Sequence, residues 1–90
     1  MNVTKTVLYV EDSHYNVLLV KAILGARSDI LMVAAPTGND GLIVAQHQRV
    51  DLLLLDLNLP DMRGEAFLQR FRATPGCESV PVIIISGESV

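Results

Sequence analysis

The sequence predicts an α/β domain built on a parallel β-sheet. Four short apolar segments alternate with three longer amphipathic segments along the 90 residues. Alternation at these lengths is typical of parallel strands joined by right-handed helical crossovers. Half of the residues are hydrophobic and 19% are charged, which is the composition of a globular chain rather than a disordered one. We therefore expect residues 1–90 to form one domain.

The predicted strands are continuous apolar runs, which suit strands buried on both faces of a parallel sheet. They lie at residues 6–10, 30–35, 51–56 and 80–86. The last run has the strongest β signal, and only residues 87–90 follow it. Because these residues are too few to form a covering helix, we expect this strand to be an interior strand that lacks its neighbour.

The three predicted helices each begin with a recognisable signal. Ser13 is placed to cap the first, which runs to about residue 26, and Gly25 weakens its last turn. Thr37 and Asp40 fit a capping box for the second, and the third extends from residue 64 to about residue 73. The residues expected to face the sheet are Val17, Val20, Ile23 and Leu24 in the first helix, Leu42, Ile43 and Ala45 in the second, and Phe67, Leu68 and Phe71 in the third.

Composition argues against several classes of partner. The net charge is −3 and the seven Lys and Arg residues are scattered, so we expect no nucleic-acid surface. No apolar run approaches the roughly 20 residues of a membrane span, and the first residues do not resemble a signal peptide. The single cysteine, Cys77, cannot form an intrachain disulfide. These features together predict a cytoplasmic location without a membrane partner.

Acidic residues follow two of the predicted strands. Glu11 and Asp12 come directly after the first strand, and Asp56 ends the third. The carboxyl ends of parallel strands share one edge of a sheet, where open α/β sheets bind ligands. If the first and third strands are neighbours, three carboxylates converge there. An acid after a strand is often only a turn former, which is an alternative for Asp12 and Asp61, but two independent strand ends agree on this site.

Three close carboxylates repel unless one is protonated or a cation joins them. A hard divalent ion with oxygen ligands suits this set, and Mg²⁺ suits it best. A carboxylate beside such an ion is able to attack phosphorus, while the metal neutralises the phosphoryl oxygens. Asp56 is expected to be the nucleophile, with Glu11 and Asp12 binding the metal directly or through water. Ser86, at the end of the fourth strand, is placed to donate its hydroxyl to a phosphoryl oxygen.

Three motifs, read together, resemble the receiver domain of bacterial two-component response regulators and hybrid histidine kinases. They are residues 7–13 (VLYVEDS) with Asn16, residues 51–62 (DLLLLDLNLPDM) with Gly64, and residues 81–87 (PVIIISG). The resemblance implies a flavodoxin-like fold with strand order 2-1-3-4-5, of which this chain would hold 2-1-3-4 and lack the fifth strand and helix.

The resemblance also implies a role for each site residue. Asp56 would be the phosphoacceptor, supplied by a phosphohistidine on a histidine kinase or phosphotransfer protein, so the chain would be a signalling domain rather than an enzyme. Glu11, Asp12 and Asp56 would bind Mg²⁺ together with the backbone carbonyl of Asn58. Ser86 would be the switch hydroxyl that moves toward the phosphoryl group.

One feature departs from the family pattern. The family carries a lysine at the end of its fifth strand, whereas this sequence has only Lys5 and Lys21, neither of which matches that position. We expect a chain that is incomplete at its C-terminal end, either cut short or naturally truncated. Loss of this lysine would affect phosphorylation and switching more than Mg²⁺ binding, since the metal ligands are all present.

Two other functions compete with this one. The first is an interaction module, in which two copies pair through the exposed fourth strand at residues 82–85. The second is a phosphatase with an aspartate nucleophile. Such enzymes use a second acid two residues after the nucleophile, and the residue there is Asn58, which cannot protonate a leaving group.

Overall fold

Four strands and three helices alternate along residues 4–85, the part of the chain that this computed structural model describes. The strands are β1 (Lys5–Val10), β2 (Ile30–Ala35), β3 (Leu52–Leu55) and β4 (Val82–Ile84). The helices are α1 (His14–Leu24), α2 (Gly38–His47) and α3 (Gly64–Ala73). Every strand pair is parallel, and the order across the sheet is β2-β1-β3-β4. The predicted fold class and strand order are therefore confirmed.

The helices cover the two faces of the sheet unequally. Alternate residues of β1 and β3 point to opposite faces, because successive side chains of a strand do so. One face packs against α2 and α3 around the fully buried rings of Phe67 and Phe71, whose centroids are 5.8 Å apart. The other face, with Val7, Tyr9 and Leu54, packs against α1. No helix in the described range is long and apolar enough to cross a membrane.

The predicted caps form at the first two helices. The Ser13 hydroxyl accepts a hydrogen bond from the Asn16 N–H at 3.3 Å, and Thr37 accepts one from the Asp40 N–H at 3.0 Å. These bonds satisfy backbone donors that the first helical turn leaves without a partner. Each helix begins a few residues after the strand that precedes it, α1 after β1 and α2 after β2. Because the strands are parallel, the N-termini of both helices lie at the carboxyl edge of the sheet.

Two residues expected to face the sheet point outward instead. Ile23 is 67% exposed and Ile43 is 47% exposed. Neighbouring residues lie about 100° apart around a helix, because 3.6 residues complete a turn. Once Leu24 and Leu42 contact the sheet, the residues beside them turn away from it. The prediction was wrong at these positions because apolar character does not determine which stripe of a helix is covered.

Asp51 joins β3 to β1 at the edge of the sheet opposite the acidic residues. Its carboxylate accepts a hydrogen bond from the Thr6 N–H at 2.8 Å, and its own N–H donates to the Thr6 carbonyl at 2.8 Å. Arg49 pairs with the same carboxylate at 3.0 Å. The Thr6 bond, with the nearby positive charges of Arg49 and Lys5, lowers the pKa of Asp51. This pairing fixes the register in which Val7 lies beside Leu52.

Replacing Asp51 with alanine is expected to destabilise the protein by about 1–3 kcal/mol, because the Thr6 N–H loses its acceptor. Since folding lowers the pKa of Asp51, its stabilising effect is present above the ordinary value of 3.8 and is lost as the pH falls below that value. The difference between the wild type and Asp51→Ala in urea unfolding should therefore become smaller in acid, where a neutral carboxyl group accepts the bond more weakly than a carboxylate. Asp29→Ala breaks an exposed ion pair and is the control, expected to change stability much less. An equal difference at neutral and acid pH would contradict the assigned role of the charge.

Candidate functional site

The acidic residues predicted to converge lie side by side at the carboxyl edge of the sheet. β1 and β3 are neighbours, with Val10 beside Leu55, so the residues that follow each strand emerge together. The Asp56 N–H extends this pairing by donating to the Val10 carbonyl at 3.1 Å. One carboxylate oxygen from each of Glu11, Asp12 and Asp56 lies within 4.8 Å of the other two. The parallel register thus assembles the cluster from residues 45 positions apart.

The three carboxylates differ in their access to solvent. Glu11 is 3% exposed and Asp56 is 6% exposed, whereas Asp12 is an exposed residue. The site is therefore closed on the side of the sheet and open beside Asp12. A ligand that approaches from solvent reaches the two buried carboxylates past this third one.

Glu11 is held in one orientation by three donors. Its Oε1 accepts hydrogen bonds from the Tyr9 hydroxyl at 3.1 Å and from the Asn16 side-chain amide at 3.3 Å. Its Oε2 accepts one from the Ser13 N–H at 3.2 Å. A carboxylate offers about four lone-pair directions, so Oε2 retains capacity for a further ligand. The first turn of α1 thus supports the acid that precedes it.

Tyr9 is a site residue that the sequence analysis did not identify. The ring is buried between α1 and the sheet, and burial, together with the charge of Glu11 and the hydrogen bond to it, raises the pKa of the Tyr9 phenol to about 12. The available signal was its position two residues before Glu11, since residues two apart in a strand share a face. Asn16 belongs to the quoted motif, but its contact with Glu11 emerges only in the folded chain.

Asp56 has one restrained oxygen and one available oxygen. Its Oδ1 accepts a hydrogen bond from the Asn58 N–H at 3.1 Å. Within residues 4–85 no protein group donates to its Oδ2. The carboxylate is therefore fixed by the backbone that follows it, and one oxygen remains for a ligand or for bond formation.

The segment after Asp56 folds back on itself beside the cluster. Asn58 and Arg63 form an isolated antiparallel bridge, and the Gly64 N–H donates to the Leu57 carbonyl at 2.9 Å. A Cβ on Gly64 would lie 2.7 Å from the Leu57 Cα, so only glycine permits this close return. We call residues 58–63 the β3–α3 loop. An open groove of about 660 Å³ is lined by residues 57–63 and Glu65.

The structure leaves the prediction for Ser86 open and agrees with the expectation that neither Lys5 nor Lys21 belongs to the site. Ser86 lies outside the described residues, so its proposed contact with a phosphoryl group stays a prediction. Lys5 begins β1 at the opposite edge of the sheet, and Lys21 lies in the last turn of α1. The carboxyl edge, as far as residues 4–85 form it, therefore contains no lysine.

The donor chemistry of the cluster suits a hard divalent cation. All three side chains offer oxygen, and neither an imidazole nor a thiolate belongs to the group. Mg²⁺ prefers such ligands and usually keeps part of its water shell, for which the side open beside Asp12 leaves room. A cation there would relieve the repulsion among the three negative charges.

Comparison with known proteins gives the same family at the level of sequence. The family model for the response regulator receiver domain matches residues 7–90. Protein-glutamate methylesterase/protein-glutamine glutaminase 2 of Methanospirillum hungatei is 34% identical over 83 residues, which make up 90% of this chain and 23% of that protein. The chain therefore spans less than a quarter of this relative.

Solved structures agree with the fold. The chemotaxis response regulator CheY4 of Vibrio cholerae superposes with a TM-score of 0.87 at 26% identity, over 97% of this chain and 72% of that one. The receiver domain of sensor histidine kinase PA1611 from Pseudomonas aeruginosa superposes with a TM-score of 0.82 at 27% identity, over 90% and 66% of the two chains. The latter structure holds a magnesium ion coordinated in its active-site cleft.

The burial of Tyr9 is expected to appear in its titration. Tyr9 and Tyr15 are the only tyrosines and tryptophan is absent, so in a Tyr15→Phe variant the phenolate absorbance reports Tyr9 alone. We expect ionisation near pH 12 rather than 10. Because the unfolded chain releases this proton first, stability should fall as the pH rises from about 10 toward 12.

A Tyr9→Phe variant is the matched control for this titration, since it removes the phenol and keeps the ring. The part of the pH dependence that belongs to Tyr9 should disappear in it. Ionisation of Tyr9 near pH 10 in the folded protein would contradict the buried contact with Glu11.

Proposed function

The chain belongs to the response regulator receiver domain family, a family of signalling domains, and from this we propose that it accepts a phosphoryl group on Asp56. The observation that carries the proposal is the cluster of Glu11, Asp12 and Asp56, whose oxygens lie within 4.8 Å of one another at the carboxyl edge of the sheet. Asp56 follows β3 and has one carboxylate oxygen that accepts from no protein group within residues 4–85, whereas Glu11 accepts hydrogen bonds from three donors. We infer that it is the nucleophile.

The proposed transfer forms one bond and breaks another. An oxygen of the Asp56 carboxylate attacks the phosphorus of a phosphohistidine, and the phosphorus–nitrogen bond breaks with its electron pair returning to the imidazole ring. The product is an acyl phosphate on Asp56. The hydrogen bond from the Asn58 N–H to Oδ1 supports this role, because it orients the carboxylate with its other oxygen available for attack.

We propose that the donor is a histidine kinase or a histidine phosphotransfer protein. The phosphoryl group would reach Asp56 from the side of the cluster beside Asp12, because Glu11 and Asp56 themselves are almost completely buried. Positioning by a docked partner supplies much of the rate of a phosphoryl transfer, in which the nucleophile needs little activation.

The proposed cofactor is Mg²⁺. Glu11, Asp12 and Asp56 would hold it together with the backbone carbonyl of Asn58, and the magnesium ion in the related PA1611 receiver domain supports this assignment. When bound, the ion would supply positive charge to the phosphoryl oxygens. The protein's own contribution is to orient Glu11 through its three donors and to keep Asp56 away from bulk water.

Ser86 is proposed as the hydroxyl that donates to the phosphoryl group once it is on Asp56. The support is its position in sequence, directly after β4 and Ile85, whose N–H still donates to the Leu55 carbonyl at 2.9 Å.

The proposal predicts Mg²⁺-dependent labelling of one residue. Incubation with acetyl phosphate and Mg²⁺ should add a single phosphoryl group, detected by intact mass, and hydroxylamine should remove it because an acyl phosphate reacts with this nucleophile. Asp56→Asn should abolish labelling, since an amide is not nucleophilic toward phosphorus. Asp29→Asn is the matched control, because Asp29 precedes β2 at the opposite edge of the sheet. Labelling that persists in Asp56→Asn would refute the assignment.

A second candidate function is pairing of two copies through β4. β4 is an outer strand of the described sheet, and its side chains Ile83 and Ile84 are 51% and 43% exposed. An exposed apolar edge strand is a template for pairing with another chain. Pairing of this kind needs neither Mg²⁺ nor a phosphoryl donor.

Light scattering distinguishes this candidate. The protein should be dimeric without Mg²⁺, and Ile83→Lys should make it monomeric because a charge disfavours edge pairing. Leu31→Lys is the control, since Leu31 is 50% exposed on β2, the opposite outer strand of the described sheet. A monomeric wild-type protein would exclude the pairing.

A further inference from the structure

A long-range contact ties the β3–α3 loop to the start of α2. The Asp61 carboxylate accepts hydrogen bonds from the Gly38 N–H at 2.8 Å through Oδ1 and from the Asn39 N–H at 2.9 Å through Oδ2. The partners are 23 and 22 residues apart in sequence. Asp61 thus caps a helix to which it does not belong, whereas its sequence context indicates only a turn former.

Packing reinforces the contact at the next residue. Met62 lies so close to Gly38 that a Cβ there would be 2.7 Å from its Cγ and Sδ. Met62 also packs against the main core cluster. The loop and the helix therefore touch through both polar and apolar atoms, and Gly38 provides the space.

The loop is consequently held at its base and at its tip. Its base is closed by the bridge between Asn58 and Arg63 and by the hydrogen bond from the Gly64 N–H to the Leu57 carbonyl. Its tip is fixed by Asp61. An anion at a helix N-terminus is stabilised by the helix dipole and by charge-assisted bonds. The N–H groups of Asn39 and Gly38 accordingly lower the pKa of the Asp61 carboxyl.

We propose that Asp61 is a positioning residue for the metal site, because it fixes the loop whose first residue, Asn58, lies beside Asp56. This inference rests on the proposed Mg²⁺ site. A backbone carbonyl has no rotamers of its own, so its position depends on the conformation of the loop. Mg²⁺ demands near-octahedral geometry at short distances, and a loop that is already ordered loses less entropy when the ion binds.

A purely local role for Asp61 makes a different prediction. If it only stabilised α2, its loss would resemble the loss of Thr37, which caps the same helix by accepting from the Asp40 N–H. Thr37 belongs to the segment between β2 and α2 and not to the β3–α3 loop. Thr37→Ala therefore removes a cap from α2 while it leaves the loop contact intact, and it is the matched control.

The experiment compares Asp61→Ala, Asp61→Asn and Thr37→Ala with the wild type in the full chain. Calorimetric titration with Mg²⁺ alone, without a phosphoryl donor, measures affinity, and hydrogen exchange of the Asn58 N–H without metal measures the order of the loop. Asp61→Ala should weaken Mg²⁺ binding by about tenfold, as expected for residues that orient a metal ligand. It should also speed exchange at Asn58. Asp61→Asn keeps one carbonyl acceptor and should be intermediate, and Thr37→Ala should lower the melting temperature without changing Mg²⁺ affinity.

Each outcome decides the proposal. Wild-type affinity in Asp61→Ala overturns it, and so does an equal loss of affinity in Asp61→Ala and Thr37→Ala, which would mean that Asp61 acts only through the stability of α2. If the wild type binds no Mg²⁺, the proposed function fails instead. In that case the hydrogen exchange rate of the Asn58 N–H still tests whether Asp61 orders the loop. A rate in Asp61→Ala equal to that of the wild type overturns this role as well, whereas a faster rate supports it.

Discussion

The repulsion among Glu11, Asp12 and Asp56 is the interaction that the surrounding structure must overcome. Two of these carboxylates are almost completely buried, where water screens their charges poorly. The parallel pairing of β1 with β3 holds Glu11 and Asp56 close together. Neither residue is able to move away without disrupting two strands that contain fully buried residues. A cation bound there, as proposed, would offset this repulsion.

Each acid is supported by a different part of the chain. Glu11 is oriented by Tyr9 beneath it and by the first turn of α1, whereas Asp56 is restrained by the N–H of Asn58. The β3–α3 loop is in turn anchored to α2 through Asp61. The N-terminal turns of α1 and α2 therefore both donate backbone N–H groups to carboxylates near the carboxyl edge.

The two faces of the sheet contribute differently to this arrangement. Phe67 and Phe71 fill the face between α2, α3 and the sheet, where both side chains are completely buried. α1 covers the other face with Val17, Val20 and Leu24 only partly buried. The α2–α3 side is therefore the more completely buried of the two. The contact of Met62 with Gly38 belongs to that side.

The sequence by itself determined the order of elements, the parallel sheet and the cluster of acids. Apolar runs of strand length identify buried strands, and strands joined by helices leave their carboxyl ends at one edge, so Glu11, Asp12 and Asp56 were expected to converge if β1 and β3 are neighbours. The pairing of β1 with β3 satisfies that condition. Only the tertiary structure decided which side chains complete the site. Tyr9 approaches Glu11, and Asp61 reaches Gly38, through contacts that depend on how strands, helices and the loop pack. Ile23 and Ile43 point outward for the same reason. The sequence shows the helical repeat of apolar residues, but packing against the sheet decides which side of the helix is buried.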